Sequence, residues 1–114
     1  ELAPLGIHAT VIEPGYFRTD FLDASSLLVS PHVIADYAQT SGATRERATG
    51  LNHAQPGDPA KLAAAVARLV ESAHPPLRLP LGTDTLAAIE QKMAFVAEET
   101  QAWRELSSST GFAT

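Results

Sequence analysis

The chain is organised around residues 7–20, which read Ile7-His8-Ala9-Thr10-Val11-Ile12-Glu13-Pro14-Gly15-Tyr16-Phe17-Arg18-Thr19-Asp20. The first six residues are mostly apolar or β-branched and run directly into Pro-Gly, which predicts a buried strand over 7–12 followed by a sharp loop. In an open α/β sheet, the carboxyl ends of the strands face the ligand crevice. We therefore expect Tyr16, Arg18 and Thr19 to lie where chemistry takes place.

The composition of the chain excludes several classes of protein. It has 114 residues, 45% of them hydrophobic, which suffices for one modest domain. The net charge is −5 and the eight Lys and Arg residues are scattered, so no basic surface for nucleic acid is expected. The absence of Cys excludes disulfides and fits a reducing compartment, so we expect a cytoplasmic location. No apolar run or charged leader predicts a membrane span or a signal peptide.

The first six residues, Glu1-Leu2-Ala3-Pro4-Leu5-Gly6, are typical of the last turn of a helix, with Gly6 supplying a positive φ after it. A chain that starts at the end of a helix is expected to be part of a longer protein. The alternative is that these residues are a disordered remnant of a tag.

Residues 20–55 carry frequent helix and strand breakers, namely Ser25-Ser26, Ser30-Pro31, Thr40-Ser41-Gly42 and Thr49-Gly50. They predict an irregular segment of short apolar pieces without long elements. Because this segment follows the loop at the strand end directly, we interpret it as a lid over a substrate. The alternative is an ordinary irregular connection.

Two long helices and a second strand are predicted in the remainder of the chain. Asp58 is the expected N-cap of a helix that begins at Pro59 and ends near Ser72. The alternation over 77–82 predicts a short strand, and Pro80 places it at a sheet edge, where self-association is expected. Thr83 or Asp84 is expected to cap a final helix that ends near Leu106, before a polar tail.

The residues of this chain predict a place to hold a ligand but no complete set of catalytic groups. The four His residues are far apart in the sequence, so no metal site is expected. There is neither a Gly-rich phosphate loop nor a nucleophile elbow.

The whole chain resembles the C-terminal portion of the short-chain dehydrogenase/reductase family. The segment 14–19 is similar to the Pro-Gly-x-x-x-Thr signature of that family. The helix end at residues 1–7, the helix after Asp58, the strand over 75–82 and the closing helix follow the order of elements in the family.

The resemblance implies an α/β fold, the C-terminal part of a Rossmann-like doubly wound parallel sheet with its last two strands, a lid and two long helices. Residues 1–114 would form the C-terminal fragment of a single NAD(P)-binding domain. Its parts would be a helix end, strand and cofactor loop (1–19), a substrate lid (20–55), a helix-strand-helix unit (56–106) and a tail (107–114).

The resemblance also implies roles for individual residues. The cofactor, NAD or NADP, would contact Pro14, Gly15, Tyr16, Phe17 and Thr19, with the main chain near Tyr16 and Phe17 bonded to its carboxamide. A helix N-cap is the alternative role for the Thr19 hydroxyl, and one hydroxyl can serve both. A partly apolar carbonyl or alcohol substrate would contact the lid through Val29, Val33, Ile34 and Tyr37.

The family's catalytic Tyr-x-x-x-Lys is absent, because Asp20 follows Tyr16 by four residues and Ser41 follows Tyr37 by four. We therefore predict an NAD(P)-dependent oxidoreductase of which this piece alone is inactive, with a homo-oligomeric complete protein. The alternative is a non-enzymatic module in which two amphipathic helices present an interface. Substrate identity and the choice between NAD and NADP are not encoded in these residues.

Overall fold

A computed structural model describes residues 2–112 of the chain. Its centre is a two-stranded parallel sheet formed by β1 (Val11–Pro14) and β2 (Arg78–Leu81). Val11 lies opposite Arg78, and Pro14 lies opposite Leu81. The predicted parallel pairing is therefore confirmed, and the carboxyl ends of both strands lie at the same edge of the sheet.

The first strand begins later than the sequence predicts, at Val11 instead of Ile7, and it includes Pro14. The first links between the two segments are Thr10 Oγ1 to Pro76 O at 2.7 Å and Val11 N to Leu77 O at 2.9 Å. Pro75 and Pro76 have no N–H groups, so the partner segment cannot extend the ladder toward residue 7. Val11 and Ile12 are also exposed within the described residues, so the predicted burial of this strand is not found there.

The segment between β1 and Pro59 contains more helix than was predicted. Single 3₁₀ turns occur at Asp20–Leu22 and Ala35–Tyr37, and a π-helical turn at Ala38–Gly42 leads into α1 (Ala43–Leu51). Gly42 and Gly50 were expected to break the chain, but Gly42 adopts helical backbone angles and Gly50 lies inside α1. Good helix formers around these residues override the break signals.

Helix α2 (Pro59–Val70) begins as predicted, because the Asp58 carboxylate accepts a hydrogen bond from Ala60 N at 2.9 Å and Pro59 is the first helical residue. Its half-buried side chains are spaced three and four residues apart, as one face of a helix requires. They are Leu62, Ala65, Val66 and Leu69. Val70, the last residue of the helix, is 79% exposed although it is apolar.

The last predicted helix is divided into α3 (Thr83–Ala102) and α4 (Arg104–Ser108), with Trp103 in non-helical geometry between them. Residues 107 and 108 of the predicted tail are thus helical. Residue 1 and the last two residues of that tail, 113–114, lie outside the described part of the chain. At the other end of the chain, the prediction for Gly6 is confirmed, since it closes a 3₁₀ turn with φ 70°.

The described residues do not enclose a hydrophobic core. No hydrophobic side chain among them is buried, and Gln55 is the one buried residue of 2–112. The radius of gyration is 20.1 Å, whereas a compact chain of this length has about 13 Å. The apolar faces of the sheet and of α3 therefore lack cover within this part of the chain. None of the helices in residues 2–112 combines the length and the hydropathy that a membrane crossing requires.

Candidate active site

Residues 14–17, the Pro-Gly corner, lie at the carboxyl end of β1, where the sequence predicts a ligand site. Gly15 N donates to Leu81 O at 2.8 Å, so the corner is attached to the carboxyl end of β2 as well. The carboxyl ends of both parallel strands thus meet at the Pro-Gly corner. This is the geometry in which open α/β sheets bind ligands.

The first turn of α3 holds the Pro-Gly corner from one side. The Asp84 carboxylate accepts a hydrogen bond from Tyr16 N at 2.7 Å. A Cβ atom added to Gly15 would lie 2.2 Å from Asp84 Oδ1, so only glycine permits this approach. The sequence predicted Thr83 or Asp84 as the N-cap of α3, and this is wrong. Gly82 occupies the cap position and has no side chain to cap the helix, while the Asp84 carboxylate in the first turn is bonded to the corner.

Residues 55–57, the return segment, hold the corner from the other side. Gly57 N donates to Tyr16 O, and Arg18 N donates to Gly57 O, both at 2.9 Å. The Arg18 guanidinium donates from Nε and Nη2 to Gln55 O at 3.2 and 3.1 Å. Gln55 Nε2 donates to Thr19 O at 3.3 Å, and the Gln55 side chain is almost completely buried. The two ends of the segment 20–55 are therefore bonded to each other.

A cavity of about 400 Å³ lies at the Pro-Gly corner, and all five residues predicted to contact a cofactor line it. The structure thus brings these residues together. Its complete lining is Pro14, Gly15, Tyr16, Phe17, Thr19, Phe21, Leu22, Gln55 and Leu62. Phe21 and Leu22 could have been expected from their position directly after Thr19, but Gln55 has no local signal, since only the fold brings it within reach.

Few polar groups of the corner are still available to a ligand. Tyr16 N and Tyr16 O are bonded to Asp84 and Gly57, as described above. Within residues 2–112, Phe17 N has no hydrogen-bond acceptor. Thr19 Oγ1 accepts from Phe21 N at 3.4 Å and so caps the 3₁₀ turn Asp20–Leu22, which leaves its proton available for donation.

The four residues predicted to contact the substrate are not part of this cavity. Val29, Val33, Ile34 and Tyr37 are exposed. Val29 lines a different cavity, of about 240 Å³, together with Thr44 and Ala48 of α1. In this conformation, the segment 20–55 instead lines the corner cavity with the apolar side chains of Phe21 and Leu22.

Asp23 and His53 connect the two ends of the segment at a second point. Asp23 Oδ1 accepts from Ser25 N at 3.0 Å, and His53 Nε2 lies 3.5 Å from Asp23 Oδ2. The hydrogen bond from the Ser25 amide is the main cause that lowers the pKa of Asp23, with smaller contributions from the Ser25 hydroxyl, Asn52 and His53. His53 has φ 60°, an uncommon value for a residue with a side chain. No three His, Asp or Glu residues within 2–112 are arranged to hold a metal ion.

Comparison with known proteins identifies the fold to which this arrangement belongs. No family model matches the chain. A solved short-chain dehydrogenase from Streptomyces avermitilis shares 35% identity and a TM-score of 0.81 with it, over 97% of this chain and 39% of that one. This chain is therefore similar in sequence and fold to the short-chain dehydrogenase/reductase family. Its sheet and helices are the C-terminal part of the Rossmann-like fold of that family, as the sequence predicted.

A curated relative is named Oxidoreductase BOA17 and comes from Botryotinia fuckeliana. It is 35% identical over 107 residues, which are 94% of this chain and 38% of that protein. The chain therefore spans about two fifths of the length of the relatives that it matches.

Proposed function

We propose that the complete protein is an NAD(P)-dependent oxidoreductase that transfers a hydride between a nicotinamide cofactor and a carbonyl or alcohol substrate. The observation that carries this proposal is the cavity at the joined carboxyl ends of β1 and β2, with the Thr19 hydroxyl in its lining. The 35% identity to an oxidoreductase and to a short-chain dehydrogenase supports it.

The residues at the Pro-Gly corner fit the amide end of such a cofactor. When bound, the nicotinamide ring supplies the atom that gives or accepts the hydride. A carboxamide needs both donors and acceptors. In this proposal Phe17 N donates to the carboxamide oxygen, and the Thr19 hydroxyl donates to the carboxamide or to the pyrophosphate while it continues to cap the 3₁₀ turn. Pro14 and Gly15 line the same cavity and would lie against the cofactor.

The segment 20–55 serves as the substrate lid in this proposal. Its two ends are fixed by Arg18 and Gln55, whereas the apolar side chains of Val29, Val33 and Ile34 are exposed. A segment with fixed ends and exposed apolar side chains can close over an apolar substrate and exclude water from the reacting atoms. The exposed apolar side chains favour a partly apolar substrate.

This chain contributes cofactor and substrate contacts but no catalytic acid or base. The catalytic groups would lie in the rest of the complete protein, which is expected to be an oligomer. We therefore expect residues 1–114 alone to give no sustained oxidation of NADH or NADPH with a panel of ketones. Sustained turnover by this piece would contradict the assignment of its role.

The proposal is tested by titrating the complete protein with NADH and NADPH and following cofactor fluorescence. Thr19→Ala removes one hydroxyl donor, which is worth about 1 kcal/mol, so we expect binding to weaken about fivefold. Thr49→Ala is the matched control, because the Thr49 hydroxyl bonds only to Arg45 O within α1, at 3.0 Å. Failure of the complete wild-type protein to bind either cofactor would refute the proposed function, and equal binding by Thr19→Ala would refute the role of this hydroxyl.

A further inference from the structure

Asp84 occupies a position that neither the cofactor contacts nor the lid explains. It is half-buried in the first turn of α3. Its carboxylate accepts a hydrogen bond at 2.7 Å from the backbone amide of Tyr16, which is 68 residues away in the sequence. The carboxylate lies against two glycines, Gly15 and Gly82, and a Cβ atom on either would be within 2.5 Å of Asp84 Oδ1. Both neighbours therefore leave room for this one side chain.

We propose that Asp84 is a positioning residue that fixes the Pro-Gly corner in the geometry that accepts the nicotinamide carboxamide. The proposal rests on the proposed function, since it names a residue that supports the same cofactor site. Asp84 itself does not line the corner cavity, so its effect passes through the main chain of Tyr16.

The direction of the backbone amides supports this role. Phe17 pairs with Gly57 in a parallel bridge, so the chain is extended at this point. In an extended chain, successive amides point to opposite sides. Gly57 N donates to the carbonyl of Tyr16, and the C=O and N–H of one trans peptide point in opposite directions, so the N–H of Phe17 points away from Gly57. Asp84 holds the preceding peptide through the N–H of Tyr16. Without Asp84, the N–H of Tyr16 would have to find another acceptor, and the resulting change in the Tyr16 backbone would shift the adjoining N–H of Phe17.

The chemistry of the contact suits a positioning residue. A hydrogen bond from a backbone amide to a carboxylate is stronger than one between neutral groups. A negative side chain in the first turn of a helix also interacts favourably with the helix dipole. Asp84 belongs to α3, so its hydrogen bond to Tyr16 N links this helix directly to the corner.

The test compares Asp84→Ala, Asp84→Asn and Asp84→Glu in the complete protein. The measurements are the NAD(P)H dissociation constant by fluorescence titration, the KM values for cofactor and substrate, and amide hydrogen exchange at Tyr16 without cofactor. Glu90→Ala is the control, since Glu90 is an exposed acidic residue on the same helix.

The expected results differ among the three variants. Asp84→Ala should weaken cofactor binding about tenfold or more, as expected for loss of a hydrogen bond to a charged group, and should accelerate exchange at Tyr16, with the substrate KM unchanged. Asp84→Asn should remain within about threefold of wild type, because its amide oxygen can still accept. Asp84→Glu should behave as Asp84→Ala, because its longer side chain does not fit between the two glycines.

Several outcomes would overturn the proposal. Wild-type cofactor affinity in folded Asp84→Ala overturns it while leaving the proposed function intact. An equal loss of thermal stability in Asp84→Ala and Asp84→Asn, without a change in cofactor KM, would show a purely structural role. If Asp84→Ala does not fold, the comparison of Asn with Glu decides, and tighter binding by the Glu variant refutes the inference. If the complete wild-type protein does not bind NAD(P)H, both the proposed function and this inference are refuted.

Discussion

Arg18 and Gln55 join the two ends of the lid segment, although they are 37 residues apart. The guanidinium donates twice to the Gln55 carbonyl, and the Gln55 amide donates onward to Thr19 O. Because these bonds are partly buried, they are shielded from water and hold both ends of the segment beside the Pro-Gly corner. Movement of the lid is therefore expected in its exposed middle, with its ends fixed.

Arg18→Ala is expected to lower the free energy of unfolding of the complete protein by about 1–3 kcal/mol, because it leaves the carbonyl of Gln55 without its donors. Urea unfolding measures this difference. Arg78→Ala is the control, since Arg78 pairs with Glu13 at an exposed position, where a salt bridge contributes less than about 1 kcal/mol. Equal effects of the two substitutions would show that the Arg18 contact does not stabilise the closed segment.

Gly15→Ala is expected to destabilise the complete protein by about 1–3 kcal/mol and to weaken NAD(P)H binding, because the new methyl group collides with the Asp84 carboxylate. Gly50→Ala provides a control of opposite sign. Gly50 lies inside α1 with no atom near its added Cβ, so alanine should stabilise the helix by about 0.5–1 kcal/mol. Thermal unfolding and cofactor titration measure both, and a neutral Gly15→Ala would contradict the close approach.

Asp58→Ala is expected to lower the free energy of unfolding by about 1 kcal/mol, because it removes the acceptor for the first amides of α2. Asp58→Asn should retain most of the stability, since its side-chain oxygen can accept the same hydrogen bond. Chemical unfolding of the two variants side by side gives the comparison. If asparagine were as damaging as alanine, charge and not capping would explain the effect.

Asp23 is expected to make stability depend on pH in the acid range. Its pKa is lowered in the folded protein from the ordinary value of 3.8, so its contribution is complete above that value and disappears as the pH falls through the lowered pKa. The melting temperature of wild type minus that of Asp23→Asn, measured from pH 2 to 6, should therefore be constant at the upper end and fall only below about pH 4. A difference that changes near neutral pH would contradict this prediction.

Residues 1–114 produced alone are expected to self-associate or to unfold without cooperativity. The apolar side chains of β1 and α3 are exposed, and each strand has only one partner, so ladder groups of the sheet remain uncovered. Sedimentation velocity and a denaturant titration test this expectation. A compact monomer with a single cooperative transition would show that the described residues suffice for a stable fold.

Local patterns in the sequence predicted the features that depend on neighbouring residues. The start of α2 depends on Asp58 and Pro59, and the turn at Gly6 depends on one permissive residue. In each case the interacting groups are within about four residues, so no knowledge of the fold is needed. The parallel pairing of the two strands was expected from the resemblance to the short-chain dehydrogenase/reductase family, and the helix between the strands belongs to the crossover that parallel strands require.

The helix breaks predicted at Gly42 and Gly50 are not found, because glycine by itself does not determine the backbone conformation. It can break a helix or lie inside one, and the residues around it decide. The substrate contacts predicted for Val33 and Tyr37 stay predictions, since these side chains are exposed in this conformation.

By itself, the sequence determined the order of elements, the position of the Pro-Gly corner and the cap of α2, because each depends on short-range sterics or hydrogen bonding. Only the tertiary structure decided that Asp84 serves Tyr16 instead of its own helix, that Gln55 is buried, and that β1 begins at Val11. In each of these cases a polar group forms its hydrogen bond with a partner that is distant in the sequence instead of a local one. That choice depends on which groups the fold brings within hydrogen-bonding distance, and sequence spacing does not contain this information.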